Sequence, residues 1–377
     1  MAIEYDEPRD RETWSSVARF WYKKAADKSP KIRRLSHHLA ILSRLYSLEQ
    51  LSLYVRSLTC LDPFKSARGR IVTLFNRVLG GKISMQRQLS SFETRFITAH
   101  GIFFTSDPLH PDGQFDAVVE ELRRDGVFDN YIHEAKTKFG QNGVHAAISN
   151  LTALFEYGVP KHGASQPILS IAFEEAGVVE TESDKLALPT AAPQKADLNN
   201  PELPPSGASL IVIAQASRFA FFILSVALRW PHHKNVYPLV HVYLAFLQSL
   251  VSVRRLEAII DKDVPWGEIC SFLNCLVIGF ETSPSEGAER AQSRLSPKDF
   301  PNPEQGAGGP LSEIFILRGQ LYTQLQYPAT WFTDPAVNDD ERAMEMPWMS
   351  VTRIERLIWH GHGIASVRKT MMPRRIC

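Results

Sequence analysis

The sequence predicts an all-α protein, and three observations predict it. Apolar residues recur at the 3.6-residue period of an amphipathic helix, helix-start signals stand before several of these runs, and no run of strand length alternates apolar with polar residues. The first helix is expected to end in Ala25-Ala26-Asp27-Lys28-Ser29-Pro30, and the next carries Leu35, Leu39 and Leu42. Over residues 47–59 the apolar positions are Leu48, Leu51, Val55 and Leu58, with Ser47 and Gln50 spaced as a capping box. Over residues 63–79 they are Phe64, Ala67, Ile71, Leu74, Phe75 and Val78, all on one helical face. Asp62 before Pro63 reads as an N-cap acid followed by proline at the first helical position.

Pro63 follows Pro30 by 33 residues, and the leucines between them fall close to the apolar positions of a tetratricopeptide helix pair. Further helices are expected over residues 85–104, 111–135, 144–157, 166–176, 209–229, 236–260, 266–280, 311–325 and 350–369. Two stretches break the series. Residues 180–207 are rich in Pro, Ala, Asn and acids, and residues 281–310 in Pro, Gly and Ser, so both are expected to be disordered insertions. Trp14, Trp21, Tyr22, Tyr54, Phe64 and Phe75 match the apolar faces and are assigned to the core.

At 377 residues the chain exceeds the usual size of one domain, about 150 residues. A hydrophobic content of 44% suffices for a real core and argues against wholesale disorder. The net charge of +1 is uninformative, but its distribution is segregated. Residues 31–95 hold twelve Lys or Arg against three acids, and residues 353–377 hold six against Glu355 alone. Acids gather instead in residues 120–129 and 334–345. The four scattered cysteines suggest no disulfide framework. Residues 210–230 are apolar enough to resemble a membrane span, but Arg218 near the middle makes a helix buried among other helices the better reading, and no membrane partner is expected.

Catalytic signatures do not emerge. Gly80-Gly81-Lys82 has Asn76 where a phosphate-binding loop needs glycine, and Ile83 where it needs Ser or Thr, so it reads as a helix C-cap. His37 and His38 would splay about 100° apart on a helix, and His360 and His362 have no Cys or carboxylate ligands nearby in the sequence. Asp339, Asp340 and Glu341 read as a solvated helix start and not as a cation cluster. No enzyme activity, cofactor, metal or small-molecule substrate is expected.

A different pattern is positive. Tyr54-Val55-Arg56-Ser57-Leu58 leads into Pro63-Phe64, Ala67-Arg68 and Leu74-Phe75; His37-His38-Leu39-Ala40-Ile41-Leu42 and Trp21-Tyr22-Lys23-Lys24-Ala25-Ala26 precede it. Phe96 with His100-Gly101, Leu311-Ser312-Glu313-Ile314-Phe315 with Gly319, and the basic residues 353–366 follow. This ordered series resembles the telomerase-activating Est-one and nonsense-mediated-decay Smg family across residues 11–367. The resemblance implies an incomplete tetratricopeptide or 14-3-3-like helical segment over residues 1–82. Stacked helical hairpins of the family's DNA/RNA-binding type would follow over residues 83–370. The family's phosphoserine-gripping basic residues lie in helices expected to be missing before this stretch, and the nuclease domain of some members is not expected either.

The expected function is therefore a non-catalytic adaptor of RNA surveillance or telomere maintenance, in the nucleus, the cytoplasm or both. Its expected partners are RNA or single-stranded telomeric DNA, and phosphorylated decay-factor or telomerase components. Arg33, Arg34, Lys65, Arg68, Arg70 and Arg77 are the candidate phosphate contacts, with Arg44 beside them; Arg70 and Arg77 share one flank of their helix, and Lys65 and Arg68 lie off it. The alternative is a purely protein-binding helical-repeat adaptor whose basic face takes an acidic or phosphorylated partner. A third reading is a truncated paralogue without function, marked by exposed apolar surface.

Overall fold

The computed structural model describes residues 8–30, 32–59, 63–80, 89–105, 113–159, 166–175, 207–251, 253, 260–281, 311–323, 345 and 347–371. Among the described residues there are fourteen α-helices and no strand. In chain order they are α1 (Pro8–Lys28), α2 (Arg33–Leu42), α3 (Ser47–Leu58), α4 (Ala67–Leu79), α5 (Ser91–Thr105), α6 (Gln114–Arg124), α7 (Val127–Ala135), α8 (Lys138–Leu154), α9 (Ile168–Glu175), α10 (Gly207–Leu228), α11 (Tyr237–Leu250), α12 (Trp266–Glu281), α13 (Ser312–Leu317) and α14 (Pro347–Met371). The two expected insertions lie outside the described residues except for Gly207 and Glu281 at helix ends, and so do Asp62, Asp339, Asp340 and Glu341.

The core is built around α8 and α11. From Gly143 to Leu154 every residue of α8 is buried, and α11 is buried almost throughout, as expected of helices apolar on all sides. Helix α8 packs on α3, α10 and α11, and α11 packs in turn on α14. One contiguous hydrophobic core joins described residues from Leu39 to Ile364. Helix α10 has the length and composition of a membrane span, yet 61% of its apolar window is buried inside this fold. Arg218 lies on the exposed side of that helix.

Local signals were less faithful than periodicity. Helix α4 begins at Ala67 and not at Pro63: the Phe64 amide donates to the Ser57 carbonyl (2.9 Å), and its ring is drawn onto His37 (4.9 Å between centroids). Ser47 caps nothing, because Gln50 turns away to donate to the Ala40 carbonyl (2.9 Å). The working capping box is Ser90 with Glu93, each side chain taking the other's backbone N–H at 3.1 Å. The helix expected over residues 111–135 is split at Gly126, and that over 311–325 at Gly319, both with positive φ.

Two larger corrections concern side chains. Trp14 and Trp21 are not core; both are exposed, because α1 meets α2 through the opposite face carrying Ser15, Arg19, Tyr22 and Ala26. The three described cations of the second basic segment form no basic surface, and the side chains of Lys369, Arg374 and Arg375 lie outside the described residues. Arg353 and Arg356 are each 1% exposed, and Arg368 is bonded to Asp261 while stacking on Trp266.

After α8 the chain turns through three consecutive positive-φ residues, Glu156, Tyr157 and Gly158. For the first two this is a costly conformation, sustained by burial and by the bond between the Tyr157 hydroxyl and His100 (2.6 Å). At Gly158 a Cβ would run into the Leu58 carbonyl, which is backbone and cannot swing aside. Gly158→Ala is expected to cost on the order of 3 kcal/mol. Chemical denaturation reads this directly, and a change below about 1 kcal/mol would show that the turn relaxes.

Candidate nucleic-acid interface

Helices α2 and α4 and the turn between α2 and α3 bring a group of arginines together beside a half-hidden aromatic floor. The His37 ring lies tilted between Tyr54 (5.7 Å between centroids) and Phe64, and Tyr54 is 4% exposed. Arg34 and Arg70 act on His37, while Arg70, Arg44 and Arg77 act on Tyr54. Arg34 of α2, Arg44 of the turn between α2 and α3, and Arg70 and Arg77 of α4 therefore lie within electrostatic reach of the His37–Tyr54 contact. Burial first, then His38, Arg70 and Arg34, push the His37 imidazole down to about 4, so it is neutral at pH 7. Burial raises the Tyr54 hydroxyl, and the three arginines only partly oppose this.

Each arginine is held in its own way. Arg34 is exposed and lies over the Phe64 ring (5.4 Å). Arg44 and Arg70 are exposed. Arg77 is half-buried and donates to Gln50 Oε1 (2.9 Å), and burial followed by the nearby Arg44 lowers its proton affinity. Among the described residues no carboxylate lies within ion-pair distance of any of the four. Other basic residues do have carboxylate partners: Arg95 meets Asp125 at 3.1 Å, Arg353 meets Glu313 at 2.6 Å, and Lys23 meets Glu49 at 3.7 Å.

The six residues singled out from sequence thus divide. Arg34, Arg70 and Arg77 belong to the ring, and Lys65 is exposed in the turn leading into α4. Arg33 does not belong: it is 5% exposed and turns inward to donate to the Gly319 carbonyl. Arg68 also points away, lying over Phe104 (4.4 Å) with Nη1 buried and no hydrogen-bond partner for that atom among the described residues. Arg44 takes the place that Arg33 was expected to fill. The additions to the expected set are His37 and Gln50, polar groups on apolar helix faces whose placement depends on three helices meeting.

Most residues of the ordered motif series serve packing. Tyr54, Val55, Leu58, Ala67, Leu74, Phe75, Phe96 and His100 are all buried, and a Cβ on Gly101 would press on Phe75 at 3.1 Å. Other sites offer less. A cleft of about 260 Å³ between α6 and α10 holds Arg123, but Glu120 already binds it at 3.2 Å. Among the described residues no group of three His, Cys, Asp or Glu side chains could hold a metal ion. No known family model matches the chain, and neither does any curated protein.

Proposed function

We propose that this chain is a non-catalytic adaptor that holds the phosphates of single-stranded RNA or DNA on the surface formed by Arg34, Arg44, Arg70 and Arg77. The observation that carries the reading is that four arginines, from α2, α4 and the turn after α2, gather without a carboxylate among the described residues to neutralise them. Such a cluster is electrostatically incomplete, and a polyanion completes it. The guanidinium on Phe64 and the half-buried Arg77 are pre-oriented, which lowers the entropy lost on gripping a phosphate. The sequence resemblance to the Est-one/Smg family supports the same reading, with a role in RNA surveillance or telomere maintenance in the nucleus or cytoplasm.

The test is fluorescence anisotropy of the full chain with labelled single-stranded RNA and DNA over a salt series. Four neutralised phosphates predict a slope of log K against log salt of about −3. Arg44→Glu with Arg70→Glu changes two exposed side chains, so the fold is retained, and affinity at 50 mM salt is expected to fall at least tenfold. A folded protein that ignores both oligonucleotides overturns the proposal. Binding of a phosphorylated peptide in their place, lost in the same double variant, would assign the surface to a protein partner.

A further inference from the structure

Gln50 is a polar side chain on a stretch of helix that is otherwise committed to the core. It stands in the first turn of α3, is 5% exposed, and has the buried Leu48, Leu51 and Leu53 as neighbours in the chain. Both ends of its amide are in use. Nε2 donates to the Ala40 carbonyl at 2.9 Å, and Oε1 accepts from Arg77 Nη2 at 2.9 Å. The amide also bonds the Tyr54 hydroxyl. Ala40 lies in the last turn of α2, where carbonyls lack an amide of their own helix. The partners fix which way the amide faces, because a carbonyl only accepts and a guanidinium only donates. One side chain of α3 thus ties the end of α2, which leads into Arg44, to Arg77 in the last turn of α4.

Arg77 needs such a tie. Burial first, and then Arg44, disfavour its charge, so a free guanidinium would swing toward water and away from Arg44. A carboxylate at this position could hold it, but would cancel the charge that a phosphate is to meet. Glu49, one residue earlier, is such a carboxylate, and it takes Lys23 at 3.7 Å. A neutral amide holds without cancelling. We infer that, on the phosphate-holding reading above, Gln50 is a positioning residue whose amide keeps the Arg77 guanidinium beside Arg44 with its charge intact. No other uncharged side chain of this length both donates to a carbonyl and accepts from a guanidinium.

Two measurements on the full chain test this: anisotropy with a fluorescein-labelled oligouridylate over a salt series, and phenylglyoxal modification of Arg77 without nucleic acid, followed by peptide mass spectrometry. Gln50→Met keeps the length and removes both bonds. It is expected to lower affinity about fivefold at low salt, and to make the slope of log K against log salt shallower by about 0.7, one phosphate fewer. Modification of Arg77 is expected to become severalfold faster. With Arg77→Met already present, Gln50→Met is expected to change affinity by less than about twofold, since its effect runs through Arg77. Gln50→Glu keeps the hold and cancels the charge, so Arg77 is modified no faster than in the parent while affinity falls about tenfold. This variant decides alone if circular dichroism shows Gln50→Met unfolded. Parental affinity and slope in Gln50→Met overturn the inference, as do an equal loss with and without Arg77 and a Gln50→Glu variant that binds like the parent. A folded parent that binds no oligouridylate removes the phosphate-holding reading instead, and the modification rate still judges the tie: an unchanged rate in Gln50→Met means that Gln50 does not hold Arg77.

Discussion

Arg353→Met is expected to remove about 4 kcal/mol of stability. In the intact protein the Arg353 guanidinium grips both oxygens of Glu313, at 2.6 and 3.1 Å, and reaches out to Glu345 at 2.7 Å. Glu313 is wholly buried and also meets His241 Nδ1 at 3.0 Å. A carboxylate only accepts, so His241 carries a proton on Nδ1 and donates it to Glu313, while burial lowers the affinity of the ring for a second proton. Burial alone would push the Glu313 carboxyl up, but Arg353 and the His241 bond hold it well below the usual range. Without the arginine that balance reverses, and a buried carboxylate must either stay charged without its cation or take up a proton. Urea denaturation gives the loss. The informative control is Glu313→Leu with Arg353→Met, which is expected to recover most of it, because an apolar pair has no charge to strand. A single variant within about 1 kcal/mol of the parent would mean that solvent reaches Glu313.

Mild acid is expected to act on the same scale. His100 is wired for neutrality: Nε2 donates to Asn150 Oδ1 (3.1 Å), Nδ1 accepts from the Tyr157 hydroxyl (2.6 Å), and Asn150 passes its own N–H to Tyr243 (3.0 Å). A second proton on His100 would confront the hydroxyl that Nδ1 now accepts from. Burial accordingly pushes His100 down to about 3 despite the bond to Asn150, and His145, bonded to Ser52 at 2.6 Å, down to about 4 despite Glu49. Both folded values lie below the unfolded value near 6.5, so below pH 6.5 the unfolded chain binds more protons and stability falls with pH. The fall continues to about pH 4 for His145 and pH 3 for His100. Together the two are expected to remove about 4 kcal/mol between pH 7 and pH 5. Glu313 acts in the same direction at lower pH, since its depressed carboxyl contributes stability that acid takes away. Thermal melts across this range should drop steadily, and His100→Gln, if folded, should flatten the slope by about 1.4 kcal/mol per pH unit. Stability that stays level from pH 6.5 to 5 would contradict the burial of both rings.

Which features could be read from the sequence depended on how many partners each needs. Periodicity involves one helix and the bulk of the core, so the helical class and most helix centres were legible. Caps involve one local competition, and here tertiary bonds decided it: Gln50 serves Ala40 and Arg77 in place of its own helix end, and Phe64 is pulled to His37. Arg33 and Arg34 are neighbours in sequence about 100° apart on the helix. Only the carbonyl of Gly319, more than 280 residues away, decides which of them turns inward. Trp14 and Trp21 looked like core because composition distinguishes apolar from polar but not an occupied face from a bare one.

Contacts of that reach also bear on how the chain comes into being. Arg318 donates to the Asp27 carbonyl (2.7 Å) just beyond the Arg33–Gly319 bond, so the junction of the first two helices is clasped by a loop 286 to 291 residues downstream. At about 5 to 20 residues per second, a ribosome needs roughly 15 to 60 s to deliver that loop after the first helices emerge. During this interval the guanidinium of Arg33 has no Gly319 carbonyl to enter, and the first helices wait without their clasp. Closing the clasp on the first two helices is thus set by delivery of a distant segment and not by the speed at which those helices form.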